Sequence, residues 1–570
     1  MALTLSLDQA FSKANRFIKK GEIESALNIY KLVLEKFPKN FRALKAINNL
    51  YPQSSNEDQN QLVDHYNKGQ FHEGIVLNQK LIERHPFDHF LYNFLGIFYH
   101  ALGKLEEAEE AYLQSLKINQ GVSEIWSNFS VTQFELGKFE DSVISCKNAL
   151  KLEPFNAKAL NNLGNALLSL KKYNEALEVL KKSHDIDPQS FRTLNNLGNT
   201  CQKLSLYDQA INYLQKAIEL NNQDHDLFYN IAMAYRDTGQ FNKAYENFIN
   251  SLKVKQDDRK SFQNLMELSL QLGHFELFQN KLFGKLAKIN SSFFSQIIYR
   301  TYLLINSFIN EDFNQSSNQI IILKSMIASH EFSEIEDEKD KTFIFAYYSF
   351  IEKLLSYHLE NKNNVNFKNT SENIIFHIGE SHCLTFANMT INQKAKIKPL
   401  IAFGTKAWHL AQKKETSQKA IFANHLKSLP ENSNVLISVG EIDCRENEGL
   451  ITAYKKTGKN IDELINYTVD NYIAFVEKYL QGKNINRYYM TVPAPSIEDC
   501  KNKDLHKLRI DIVKKFNQRL KSKTNEYNAK FIDTYRLTSD SEGASNQKFM
   551  ADKFHLSPSI LNHIENKIEV

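Results

Sequence analysis

The chain is poor in cysteine. Its 570 residues contain five, at Cys146, Cys201, Cys383, Cys444 and Cys500. None of them forms a C-x-x-C pair or stands at a metal-ligand spacing, so the sequence predicts neither a disulfide framework nor a zinc site. Because disulfides are common in proteins of oxidising compartments and rare in the cytosol, the pattern favours a reducing, cytoplasmic location.

The chain also lacks an excess of charge of one sign and long apolar runs. It has 70 Lys and Arg against 66 Asp and Glu, without a basic stripe, which argues against a nucleic-acid partner. No segment stays apolar for the roughly 18 residues that a membrane span needs, and the first residues do not resemble a signal peptide. We therefore expect neither a membrane span nor export.

A spacing of 34 residues is the strongest pattern present. Glycine or a substitute for it recurs at Gly69, Gly103, Gly137, Lys171, Ser205, Gly239 and Gly273. Five residues later stands a mostly small residue, at Gly74, Ala108, Ser142, Ala176, Ala210 and Ala244, until Phe278 breaks the rule. This period predicts stacked pairs of helices that cross at the small residues, which is an α-solenoid.

The pattern resembles the tetratricopeptide repeat (TPR) family over residues 56–290. Residues 1–55 resemble a further N-terminal unit with Gly21, Ala26, Tyr30 and Pro38, and residues 291–362 remain helical in pattern but lose the period. The resemblance implies a superhelix with a concave groove that binds a peptide or protein partner.

Asparagine also recurs every 34 residues. The five positions are Asn128, Asn162, Asn196, Asn230 and Asn264. In the TPR family this position faces the groove, which implies a row of amides. An amide both donates and accepts hydrogen bonds, so the row would suit the backbone of an extended peptide. The alternative is that these side chains bond only within the scaffold.

The pattern changes beyond the polar, turn-prone segment near residues 362–372. Five short apolar runs, NIIFHI, PLIAF, NVLISV, YYMTV and KFIDTY, alternate with helical stretches. This alternation predicts a three-layer α/β domain over residues 372–570, with a parallel sheet of about five strands. Chemistry in such a sheet is expected at the carboxyl ends of the strands.

A serine, a histidine and an aspartate stand where that chemistry is expected. Ser381 follows the first strand, and Asp552 and His555 lie three residues apart near the end of the sequence. A serine hydroxyl becomes nucleophilic only with a base within hydrogen-bond reach and a group that orients the base. His555 and Asp552 could fill those roles. The alternative is a purely structural role, in which Ser381 caps the N-terminus of a helix.

The ordered blocks resemble the SGNH, or GDSL-like, hydrolase superfamily. Its Gly-Asp-Ser block is matched by Gly379, Glu380 and Ser381, and its Asp-x-x-His block by Asp552 and His555. The resemblance implies Ser381 as nucleophile, His555 as general base and Asp552 as its orienter. It also implies an oxyanion hole from the backbone of Ser381 and of Gly404.

The third block departs from the family. The expected Gly-x-Asn-Asp is replaced by Gly440, Glu441, Ile442 and Asp443, and isoleucine cannot donate a hydrogen bond to an oxyanion. Loss of one such donor costs about 10²- to 10³-fold in rate. Arg445 is a candidate replacement. Near the serine, Cys383 has no second cysteine or dedicated partner for a thiol mechanism. His377 and His382 are interpreted as packing against the strand or facing solvent, and Glu380 and Glu441 as solvated or salt-bridged.

Two hypotheses of different classes follow. The first is a TPR-bearing serine esterase or O-acyltransferase that acts on a small ester, with an acylated sugar as one candidate, and needs no metal or organic cofactor. The second is a protein-interaction scaffold whose SGNH-like domain has lost the chemistry, which the isoleucine at Ile442 favours.

Overall fold

The computed structural model describes residues 6–37, 40–50, 53–274, 292–361, 373–446, 448–496 and 502–569. Pro38, Phe278 and Cys500, together with the predicted boundary segment at 362–372, lie outside the described residues. The chain divides into two compact units, Met1–Leu206 and Tyr207–Val570.

The described part of the first unit is helical. Its helices, α1 to α12, are Leu7–Lys19, Ile23–Lys36, Phe41–Leu50, Asn56–Asn67, Phe71–Arg84, His89–Ala101, Leu105–Ile118, Ser123–Glu135, Phe139–Leu152, Ala157–Ser169, Tyr173–Ile186 and Phe191–Lys203. From Asn56 onward they form the repeating pairs that the 34-residue period predicts. The added helix α3 separates the N-terminal pair from this register.

The turn within each pair is left-handed, as the glycine register requires. Gly69, Gly103 and Gly137 have φ angles of 70°, 73° and 75°. Lys171 and Ser205 occupy the same conformation, with φ of 61° and 63°. The register is thus confirmed even at the two substitutes, although a side chain in this region of φ costs about 1 kcal/mol more than glycine.

The small residues lie where the helices cross, as predicted. A Cβ atom added to Gly74 would stand 2.4 Å from the ring of Phe98. Gly164, which is not in the predicted series, is equally close-packed, since a Cβ atom there would stand 2.4 Å from Leu180. Such distances are far inside van der Waals contact. The close packing of successive helices therefore depends on the absence of a side chain at these positions.

The second unit begins with helices of the same type. In its described part, α13 to α20 are Tyr207–Leu220, His225–Asp237, Phe241–Val254, Arg259–Leu272, Phe293–Ile309, Phe313–Ile327, His330–Ser333 and Glu338–Glu360. Gly239 and Gly273 again have positive φ. These helices and the following α/β region share one hydrophobic cluster, in which Phe248, Tyr302 and Ile378 are all buried.

The α/β region contains a six-stranded sheet. Its strands are β1 Ile374–Gly379, β2 Thr390–Ile391, β3 Ala395–Ile401, β4 Asn434–Ser438, β5 Asn486–Met490 and β6 Lys530–Ile532, in the order β2-β3-β1-β4-β5-β6. All neighbours are parallel except β2 and β3. The prediction of a parallel sheet of about five strands missed β2, because two residues carry no readable period.

The strand predicted as PLIAF begins earlier than expected, at Ala395. Lys396 and Lys398 alternate with buried residues along β3, so one face of the strand stays partly exposed. The prediction looked for continuously apolar strands, and this polar–apolar alternation is not continuously apolar. The predicted strand therefore began later in the sequence than β3 does.

Helices cover the sheet. In the described residues of this region they are α21 to α27, namely Ala407–Ala411, Ser417–Ser428, Gly449–Thr457, Ile461–Leu480, Lys503–Glu526, Tyr535–Thr538 and Leu561–Ile564. Alternate residues of β4 enter two separate clusters, with Val435 and Ile437 in one and Leu436 in the other. Both faces of the sheet are therefore buried at the central strand β4. Across the described ranges, no helix is long and apolar enough to cross a bilayer.

Candidate functional site

Ser381 lies at the carboxyl end of β1. The strand ends at Gly379, and the chain then turns into a short 3₁₀ helix, Ser381–Leu384. Gly379 is paired with Ser438 of β4, the strand that leads to Gly440. The segments 379–381 and 440–443 thus both lie at the carboxyl ends of neighbouring strands, β1 and β4.

The structure brings Ser381, His555 and Asp552 into one chain of hydrogen bonds. Ser381 Oγ lies 2.8 Å from His555 Nε2, and His555 Nδ1 lies 2.9 Å from Asp552 Oδ2. Asp552 also accepts from the backbone N–H groups of Phe554 and His555. In the tautomer that donates from Nδ1, His555 Nε2 is free to accept the serine proton.

The electrostatics of this chain suit a charged aspartate. Burial by itself would raise the pKa of Asp552, but hydrogen bonds from His555 and the two backbone N–H groups together hold that pKa well below its usual value. A carboxylate that stays ionised can stabilise an imidazolium at His555.

The imidazole of His555 is held by a stacked ring as well as at its nitrogens. The ring of Phe350, from α20, stacks on it with centroids 4.0 Å apart and planes 18° apart. His382 stands 5.0 Å away, ring to ring, and its Nε2 contacts the carbonyl oxygen of Phe554 at 3.0 Å. The structural role predicted for His382 therefore includes support of the loop that carries His555.

Glu380 has a partner that the sequence did not suggest. Its carboxylate accepts a hydrogen bond from Ser381 Oγ and another, at 3.2 Å, from the hydroxyl of Tyr347 in α20. Burial and then the charge of Glu380 raise the pKa of Tyr347, so the phenol stays protonated. Ser381 has one proton, and it can be given either to Glu380 or to His555.

Glu441 is salt-bridged, in line with the sequence interpretation. Arg445 Nη2 lies 2.6 Å from its carboxylate and Arg509 Nη2 3.6 Å. The Arg445 guanidinium also lies over the ring of Phe554, 4.4 Å from its centroid. Arg445 reaches the same cavity as Ser381, but its Nε and Nη2 groups are already directed at Glu441.

Gly404 lies three residues after β3 and lines the cavity that contains Ser381 and His555. Its φ of 62° places it in a left-handed turn with open space around the α-carbon. The oxyanion-hole assignments of Gly404 and of Arg445 remain predictions, since they depend on where a substrate oxygen would sit.

Two neighbours of the serine are structural, as interpreted from the sequence. His377 is fully buried in β1 and its Nε2 lies 2.9 Å from Ser438 Oγ. Burial raises the pKa of the Cys383 thiol well above its usual value, which disfavours the thiolate that a cysteine nucleophile requires.

Asp443 has a structural role that sequence reasoning missed. Its buried carboxylate accepts from the backbone N–H groups of Ala407, at 2.6 Å, and Trp408, at 2.9 Å, where α21 begins. It thereby ties the loop after β4 to the segment after β3. Burial raises the pKa of Asp443 to about 6, against the opposing effect of the two N–H groups.

This pKa predicts a pH dependence of stability. The folded carboxyl binds its proton up to about pH 6, whereas the unfolded one loses it near the usual aspartate pKa of 3.8. The raised pKa therefore adds about 3 kcal/mol to the free energy of unfolding below about pH 4. This stabilisation is lost as the pH rises to about 6. The measurement is the difference in unfolding free energy between the wild type and Asp443→Asn as a function of pH. If the difference in unfolding free energy between wild type and Asp443→Asn is the same at pH 4 and pH 7, the raised pKa of Asp443 is contradicted.

The asparagine row makes bonds within the scaffold. In the first unit, Asn128 donates to Asn93 Oδ1 at 3.3 Å, Asn162 to the carbonyl of Ser127 at 3.3 Å and Asn196 to Asn161 Oδ1 at 2.9 Å. Each of these partners lies one repeat earlier.

In the second unit the last member of the row, Asn264, donates to the carbonyl of Lys260 at 2.8 Å and accepts from Arg236. Asn230 is half-buried and also has a partner. The structural alternative is therefore realised, and peptide binding by the same amides stays a prediction.

Comparison with known proteins identifies the repeats. Sequence models described as tetratricopeptide repeat match residues 155–223, 91–121 and 225–258. No curated protein matches the chain.

Similar solved structures include YrrB, "a TPR protein with an unusual peptide-binding site", at 18% identity, covering 33% of this chain and 96% of that one with a TM-score of 0.27. TTC0263, a TPR protein of Thermus thermophilus, is 20% identical, covering 32% and 99% with a TM-score of 0.30. Cut9–Hcn1 of the APC/C is 19% identical, covering 56% of each chain with a TM-score of 0.36. The matches of the sequence models, together with the observed helix pairs and left-handed turns, show that this chain carries tetratricopeptide repeats.

Proposed function

We propose that the chain is a serine-dependent ester hydrolase or O-acyltransferase of SGNH type whose TPR array binds a peptide or protein partner. The observation that carries the proposal is the hydrogen-bonded chain Ser381–His555–Asp552, with distances of 2.8 and 2.9 Å. A capping role for Ser381 would not require a histidine and an ionised carboxylate aligned behind the hydroxyl.

The first half-reaction forms an acyl-enzyme. Ser381 Oγ attacks the ester carbonyl and gives its proton to His555 Nε2, while the carbonyl electrons move to oxygen. Asp552 stabilises the resulting imidazolium. When the tetrahedral intermediate collapses, the bond to the alcohol oxygen breaks and His555 returns the proton to the departing alkoxide.

The second half-reaction releases the acyl group. Water or an acceptor hydroxyl attacks the Ser381 ester and gives its proton to His555, and the proton then returns to Ser381 Oγ as that bond breaks. Backbone N–H groups of Ser381 and Gly404 are the proposed oxyanion donors, and Arg445 is a further candidate. An acylated sugar is one proposed substrate.

A serine-directed label tests the proposal. A fluorophosphonate should give one covalent adduct on the purified chain, detected by intact mass, and none on Ser381→Ala. Ser428→Ala is a matched control, because Ser428 ends α22 and contacts only the carbonyl of His425 among its described partners. The control should be labelled at the wild-type rate.

The scaffold hypothesis remains the second candidate. It is favoured by Ile442 in place of the expected asparagine and by the engagement of Arg445 with Glu441. A folded chain that stays unlabelled, with an unfolding temperature equal to that of Ser381→Ala, would support the scaffold and contradict the esterase.

A further inference from the structure

The cavity in front of Ser381 and His555 has a volume of about 700 Å³. One of its walls comes from helices that precede the α/β region: Gln263 and Glu267 from α16, Tyr302 from α17, and residues from Glu338 to Phe350 in α20. A cleft of this volume is of the size that holds a small organic ligand. We call these residues of α16, α17 and α20 the helical wall.

We propose that the helical wall binds a positively charged, ammonium-type group of the ester substrate and so selects cationic over neutral and anionic esters. The inference rests on the proposed function of Ser381 for its link to catalysis. The binding of a cation by the wall can nevertheless be measured without any turnover.

The charge of the cleft is negative. Five carboxylates and two basic side chains line it, a net of three negative charges. Lysines from outside the lining pair with two of the carboxylates, Glu338 and Glu448, while the lining Arg445 is paired with Glu441. Glu267, Asp340 and Glu380 then remain against one lining lysine, Lys339, so the field of the cleft stays negative. Such a field is strengthened inside a concave site with apolar walls, so an anion is repelled and a cation attracted.

Two carboxylates of the wall have few charged contacts among the described residues: Asp340 has no ion pair there, and Glu267 has one long ion pair. Asp340 accepts a hydrogen bond from the neutral amide of Gln263 at 3.2 Å. Glu267 has Arg236 no closer than 3.9 Å. Burial raises the pKa of both groups, with Arg236 offsetting this in part at Glu267. A bound cation would stabilise the ionised form of both carboxylates.

Aromatic rings complete the wall. The ring centroids of Phe343 and Tyr347 are 4.9 Å apart, those of Tyr302 and Phe343 5.3 Å, and those of Tyr347 and Phe403 5.5 Å. All four rings line the cleft. The four rings therefore pack on one another and form the aromatic part of the wall, and aromatic side chains that border a cleft attract organic cations.

The wall is connected to the nucleophile. Tyr347 donates to Glu380 at 3.2 Å, and Glu380 accepts from Ser381. A cation held in the cleft against these rings and carboxylates would share that cleft with the serine hydroxyl. The geometry ties the charge preference to the ester that Ser381 would attack.

Calorimetric binding of matched probes to the full chain tests the inference. Choline, its neutral isostere 3,3-dimethylbutan-1-ol and the anion 3,3-dimethylbutanoate have nearly the same shape. We expect choline to bind about 10-fold tighter than the neutral alcohol, a difference within the range of a desolvated cation–π contact together with ionic attraction. The anion should bind most weakly, and Ser381→Ala should bind all three like the wild type.

Single variants assign the effect to the wall. Asp340→Asn and Glu267→Gln should each weaken choline binding about 5-fold without changing the binding of the alcohol. Glu463→Gln removes the same charge from an exposed site on α24 that does not line the cleft, and it should change neither. Equal affinities for choline and the alcohol, or choline binding that Asp340→Asn and Glu267→Gln leave unchanged, would overturn the inference.

The two proposals fail separately. Saturating choline should slow the fluorophosphonate reaction at Ser381 if the two sites are one. An adduct on Ser381 without a preference for choline would overturn the cation site and leave the esterase proposal standing. A choline preference without any adduct would overturn the esterase proposal and leave a cation-binding cleft.

Discussion

Replacement of Asp552 by asparagine is expected to slow the reaction of Ser381 with a fluorophosphonate or an ester by about 10⁴-fold. The Asp552 carboxylate can only accept, so it selects the His555 tautomer that donates from Nδ1, across 2.9 Å, and leaves Nε2 basic. An asparagine amide can donate in the same place, which favours the opposite tautomer and turns Nε2 into a donor. The measurement is the second-order rate constant of adduct formation.

The control for this substitution is Asp533→Asn. Asp533 follows β6 in the same unit and accepts from the backbone N–H of Arg536, so its loss removes a comparable side-chain-to-backbone bond outside the proposed site. It should leave the rate unchanged. A loss of less than about 10-fold in Asp552→Asn would contradict the role assigned to Asp552, because removal of an orienting carboxylate has a far larger effect.

Substitution of Gly379 by alanine is expected to lower the free energy of unfolding of the second unit by about 3 kcal/mol. A Cβ atom at this position would lie 2.6 Å from both the carbonyl oxygen and the hydroxyl oxygen of Ser438 on β4. To relieve this contact, β1 and β4 would have to move apart. Such a movement would break the hydrogen bonds that pair the two strands. Because Ser381 stands two residues further on, the reaction of the serine should slow as well.

Gly482→Ala is the matched control for this change. Gly482 has a φ of 82° but no atom within 4 Å of an added Cβ, so the same substitution costs only the left-handed strain of about 1–2 kcal/mol and leaves the serine rate unchanged. Chemical unfolding followed by tryptophan fluorescence compares the two variants, since Trp408 lies in the second unit. Equal destabilisation by the two substitutions would show that the contact with Ser438 is not what requires glycine.

Much of the fold was readable because its patterns are local and repeated. A left-handed turn every 34 residues needs a residue that tolerates positive φ, and Gly69 or Gly103 shows this directly. Lys171 and Ser205 could be placed only because the period continues on both sides of them. The strands that end at Gly379 and Ser438 were readable because parallel strands buried on both faces are continuously apolar. The two-residue β2 has no such signal.

The candidate site was readable for a different reason. Ser381, Asp552 and His555 are few, ordered and placed next to predicted strand ends, where parallel topology brings distant segments together. Their mutual distances were not in the sequence. Nor was the partner of Glu380, because Tyr347 belongs to a helix outside the predicted α/β domain.

The sequence by itself thus determined the repeats, the alternation of strands and helices after them, and the identities of the three residues in the hydrogen-bonded chain. These depend on period, on hydrophobic pattern and on residue chemistry, which are properties of short segments. Only the tertiary structure decided that α20 stacks Phe350 on His555, that Arg445 is held by Glu441, and that α16 and α20 form a wall of the serine cleft. These contacts join residues far apart in the chain, and they are fixed by how the helices pack on the α/β core, which no local pattern encodes.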